Sequence, residues 1–79
     1  MVNLNNERER TMFIGACVSC GSMQEKAISM LQRGIIPLST YSEADRMIAV
    51  AREHLDNLDV NRARNVLEDV MGILHPVQE

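Results

Sequence analysis

An all-α fold is predicted by three features of this sequence. Aromatic residues are nearly absent, with only Phe13 and Tyr41. Val, Ile and Leu do not fall into the alternating runs that mark half-buried strands. Helix-start and helix-stop signals recur along the chain instead. The 79 residues suit one small domain, 1–79, near the size at which a single core suffices. An apolar fraction of 46% is too high for a disordered polypeptide.

Four short helices follow from these signals, near 7–20, 23–33, 43–56 and 60–74. Asn6 with Glu9 caps the first. Ser22 with Glu25 forms a capping box for the second, and Ser42 with Asp45 a similar device for the third. Asp59 caps the fourth, leaving Asn61 and Arg62 in its first turn. The stops are Gly21, Gly34 with Pro37, the Asp56-Asn57 pair, and Pro76. Apolar residues recur at helical spacing in each element: Phe13, Ile14, Cys17 and Val18, then Met23, Ala27, Met30 and Leu31. The third carries Met47, Ile48, Val50, Ala51 and Leu55. The fourth carries Val60, Ala63, Leu67, Val70, Met71 and Leu74.

Several function classes find no support. The net charge is −3, with acids and arginines interspersed, so no basic stripe meets a phosphate backbone and no nucleic-acid partner is expected. No run approaches the ~20 apolar residues of a membrane span, and Glu7 and Glu9 do not suit a signal-peptide n-region. The expectation is a cytoplasmic protein that does not enter membranes. No phosphate loop, nucleophile elbow or HExxH is present, so neither an enzyme nor a cofactor is expected.

A shift of about 36 residues lays the two halves over one another. Ile14 falls on Val50, Gly15 on Ala51, Ala27 on Ala63, Leu31 on Leu67 and Leu38 on Leu74. Each half then reads as an antiparallel helix pair, about 7–41 and 42–77. Ile14-Gly15, Ala27, Leu31 and Gly34 resemble the tetratricopeptide repeat, and Met47, Val50-Ala51, Ala63, Leu67 and Val70 resemble a second copy. Leu58 stands where the second copy would carry its turn glycine, and the family's aromatic positions are empty. The GSMQEKAISMLQRG stretch is similar to the helix-pair turn of small type III secretion chaperones, which sequester a needle subunit. The resemblance implies a non-enzymatic chaperone or adaptor that holds a partner's amphipathic helix. It places the groove at Met12, Ala16, Ser19 and Cys20 from the first pair, and at Ile48, Arg52 and Leu55 from the second.

The motif C-x-x-C at Cys17 and Cys20 raises a metal or redox reading. A redox pair sits at a helix N-terminus, where the dipole stabilises a thiolate, whereas these fall at the end of the predicted first helix. Zinc needs four ligands; His54 and His75 lack the short spacing of a zinc finger. Buried structural thiols are therefore expected, Cys17 in the core and Cys20 at a surface or partner contact, with no metal site. A dimer joined by metal through Cys17 and Cys20 is an alternative, as is a small regulatory connector or phage-type inhibitor, suggested by the likeness of DVNRARNVLEDVM to biofilm-associated connectors. Of six methionines, Met23, Met30 and Met71 are read as core filling and Met12 as a groove residue. Two stacked pairs leave parts of Phe13, Val70 and Leu74 exposed, which predicts a homo-oligomer or a partner-stabilised chain.

Overall fold

The computed structural model describes residues 4–74 of the chain. Among the described residues there are three α-helices: α1 (Glu7–Gln32), α2 (Leu38–Asp56) and α3 (Val60–Leu74). Among the described residues there is no strand. The all-α class holds, and the number of helices is corrected from four to three.

The difference lies at Gly21 and Ser22, where a stop and a capping box were expected. Both residues are helical, and Gly21 lacks the positive φ of a glycine stop. An interior glycine weakens a helix by about 1 kcal/mol relative to alanine without having to end it. Here Ala16 and Cys20 before the glycine, and Ala27 and Met30 after it, all bury in one core. That shared seam keeps the two stretches in line, and the backbone ladder runs through. The resulting helix is 26 residues long. At 1.5 Å per residue it extends about 39 Å, nearly the molecule's longest dimension of 43 Å.

The cap at Asn6 is as predicted: its Oδ1 accepts a hydrogen bond from the Glu9 backbone N–H at 3.1 Å. For α2 the start is earlier than predicted. Pro37 occupies the N-cap with extended backbone and no side-chain hydrogen bond, so Ser42 and Asp45 lie inside the helix. Proline is compatible with this boundary because it has no N–H to leave unpaired. Asp59 caps α3, its Oδ1 accepting from the Arg62 N–H at 3.2 Å and its Oδ2 lying 3.3 Å from Arg62 Nε. α3 starts at Val60 as predicted and is helical to Leu74, the last described residue. Pro76 and His75, expected as a stop and as a possible metal ligand, lie outside the described residues.

Both internal helix ends close with the same pair of hydrogen bonds. After α1, Gly34 N–H donates to Leu31 O and Ile35 N–H to Met30 O. After α2, Leu58 N–H donates to Leu55 O and Asp59 N–H to His54 O. This is the Schellman pattern, and it requires a left-handed residue. Gly34 supplies it at φ 74 and Leu58 at φ 58. The glycine takes that conformation freely; the leucine does so at a cost of about 1–2 kcal/mol.

α2 and α3 pack most extensively on each other, and α1 contacts both. The short connections, 33–37 and 57–59, turn each helix back along its predecessor. Fully enclosed alanines, Ala44 and Ala51 on α2 and Ala63 on α3, permit close approach of the helix axes. Ile48, Val70 and Leu74 fill the centre, and among the described residues no polar or charged one is buried. Val70 and Leu74, expected to be partly exposed, are fully enclosed, and Phe13 is half-buried. Under the 36-residue shift Ala27 and Ala63 are both buried, whereas Leu38 is exposed and Leu74 enclosed.

Candidate functional site

Side chains of α1 and α3 meet along a shallow groove of about 430 Å³. The α1 wall is Met12, Gly15, Ala16, Ser19 and Met23, at spacings that keep them on one side of a helix. The α3 wall is Arg64, Leu67, Glu68 and Met71. Ala16 and Leu67 form the floor, since both are buried. Met12 and Met23 are half-buried along α1, and Met71 is 50% exposed on the other side. The groove is thus apolar at its base, flanked by flexible thioethers, with one cation and one anion at the α3 rim. Met71 was read as core filling from the sequence; it stands at the surface instead. Small residues at Gly15, Ala16 and Ser19 make room above the floor.

Of the seven residues assigned to a concave surface, Met12, Ala16 and Ser19 line this groove. Cys20, Arg52 and Leu55 line a different cleft of about 320 Å³ between α1 and α2, with Phe13, Cys17 and Asp56. Ile48 lines neither; it is buried to 2% exposure within the core. The α3 wall was missed because the second half's groove was sought on α2. Its signal was present as Arg64, Leu67, Glu68 and Met71, which recur at three- and four-residue steps on one face.

The cysteines exchange their expected places: Cys20 is buried and Cys17 exposed. Cys20 continues the core spacing of Ala16 and Ala27, while Cys17 points off that seam. Both lie well inside α1, away from the N-terminal turn that would favour a thiolate. Burial pushes the Cys20 thiol above its ordinary pKa; the nearby Arg52 charge opposes this, and Cys17 adds to it. The Arg52 guanidinium also donates to Gln24 Oε1 at 2.9 Å, tying α2 to α1. Burial thus disfavours the Cys20 thiolate, the form that acts as nucleophile or metal ligand, and the Arg52 charge offsets this in part. Among the described residues no group of three or more His, Cys, Asp or Glu side chains is placed to share a metal ion. No helix among them is long and apolar enough to cross a membrane.

Compared with protein-family models, with curated proteins and with solved structures, the chain finds no match in any of the three.

Proposed function

We propose that this chain is a non-enzymatic interaction module that seats an apolar helical segment of another protein in the groove between α1 and α3. The observation that carries the reading is the lining itself: Met12, Met23 and Met71 around a floor of Ala16 and Leu67. Unbranched, polarizable side chains adapt to a ligand's apolar contour without demanding one shape. A helix laid into such a groove would be read through anchors one turn apart. Arg64 and Glu68 at the rim would then select the partner's flanking charges. The sequence resemblance to small secretion chaperones agrees with a sequestering role, and the regulatory-connector alternative would use the same surface on a different target.

The test is site-specific photo-crosslinking in the source cell. Benzophenone side chains at Met12 and Met71 are expected to trap one common protein, and one at exposed Asp69 is not. For that protein, Met71→Asp should lower affinity by on the order of 2–4 kcal/mol, because a charge enters a desolvated apolar contact. Glu68 is not a suitable control, since it lines the rim. Equal trapping from Asp69 and Met71, or unchanged affinity in Met71→Asp, would remove the groove as the binding surface.

A further inference from the structure

The outer side of α1 is a second surface, separate from the groove. From Thr11 to Gln24 the sequence TMFIGACVSCGSMQ carries no charge. A solvated helix face ordinarily carries charged or polar residues. Here Ile14 is 54%, Val18 63% and Ile28 39% exposed. Arg10, Ile14, Cys17 and Val18, Gly21, Glu25 and Ile28 recur at three- and four-residue steps, the spacing of a seam between packed helices. Gly21 lies on this stripe in ordinary helical conformation, and an added Cβ would meet nothing within 4 Å. The fold of one chain therefore gives no reason for a residue that weakens its longest helix. Close approach of a second backbone does.

The charges at the two ends of the stripe identify that second backbone. The uncharged stretch has its midpoint between Cys17 and Val18. Antiparallel pairing of two α1 helices about that midpoint sets Arg10 of each copy against Glu25 of the other. It sets Ile14 of each copy against Gly21 of the other, a large side chain over a residue with none. Parallel pairing would put Arg10 on Arg10 and Glu25 on Glu25. The pattern is self-complementary in one orientation and one register.

We infer that the chain forms a homodimer through the outer face of α1, two copies packing antiparallel about a two-fold axis between Cys17 and Val18. Such an interface is isologous, each contact occurring twice. Ile14 and Val18 leave water, and Arg10 and Glu25 close the rim. Arg10 Nη1 lies 3.5 Å from Leu4 O in the single chain, a long contact from which the guanidinium is readily drawn.

Charge reversal in the full-length chain tests both orientation and register, with self-association measured by sedimentation over a dilution series. Arg10→Glu and Glu25→Arg should each weaken the dimer by about tenfold or more, since each places like charges opposite one another twice. Combining both substitutions in one chain should restore it. Mixing the two single variants should give a heterodimer, in which both pairings are again attractive. Gly21→Leu should keep the helical circular dichroism yet dissociate the dimer, because the space it fills is open in one chain and occupied in two. A chain that stays monomeric at all concentrations overturns the inference, as does a dimer indifferent to both single reversals. These outcomes do not involve Met12 or Met71, so they stand apart from the fate of the groove.

Discussion

α1 and α3 show two ways in which a helix is held in one small bundle. α3 has 15 residues and buries five of them, Val60, Ala63, Leu67, Val70 and Leu74, in a continuous seam. α1 has 26 residues and buries four, of which three are small: Ala16, Cys20 and Ala27, with Met30. The short helix is nearly all seam on its apolar side, and its position in the core determines its stability. The long one makes a thinner contact per turn and turns Ile14, Val18 and Ile28 outward. Apolar residues are therefore informative only with their neighbours. On α3 they record folding, and on the outside of α1 they are left over once folding is complete.

The largest effect expected from this contrast is on core stability. Leu67→Ala should lower the free energy of unfolding by roughly 2–5 kcal/mol, through lost transfer energy and the cavity left behind. Ile14→Ala, measured in protein diluted until monomeric, should stay within about 0.5 kcal/mol of the parent. Urea denaturation of both variants compares them directly. If the two losses were alike, the outer face of α1 would belong to the core and the contrast would fail.

Glycine supplies a finer comparison. Gly34→Ala should destabilise by about 1–2 kcal/mol, because φ 74 is required by the hydrogen bonds that end α1. Gly21→Ala should stabilise the diluted chain by about 1 kcal/mol, since its backbone is helical and its surroundings are open. Opposite signs in thermal melts would separate a glycine needed by the turn from one that the single chain does not need. A loss in Gly21→Ala would mean that the monomer itself packs against that position.

These contrasts also explain what was legible in the sequence. The start of α3 could be read because Asp59 both ends the preceding turn and caps the helix, and its seam has no competing signal. Gly21 followed by Ser22 and Glu25 imitates a helix stop and start. Only the burial of Cys20 and Ala27 in a common core decides against it, and that is a tertiary fact. The start of α2 at Leu38 carries no capping side chain, so Ser42 drew the boundary inward. Met12, Ala16 and Ser19, assigned together by the repeat resemblance, lie on one helical face and line one wall of the groove. The facing wall on α3 depends on which helices become neighbours, and a reading with four helices pairs them differently. Ile48 was misplaced for the same reason, and Cys17 and Cys20 were interchanged because a helix ended at residue 20 hides the alignment of Cys20 with Ala27 and Met30 beyond Gly21.

The tight 57–59 connection also bears on the order in which the molecule assembles. Bringing α2 and α3 together closes a very short loop, so little chain entropy is lost before their contacts form. An isolated α1 with glycines at 15 and 21 is a marginal helix in water, and it gains its seam only by condensing on a hairpin already made. The left-handed turn at Leu58 then belongs to the rate-limiting nucleus, although α1 is synthesised first. Relieving that turn with Leu58→Gly should appear mainly as faster refolding in stopped-flow mixing, with the unfolding limb almost unmoved. A change confined to the unfolding limb would place the hairpin after the barrier. On this ordering, a nascent chain holds the apolar seam of α1 uncovered until α3 has left the ribosome.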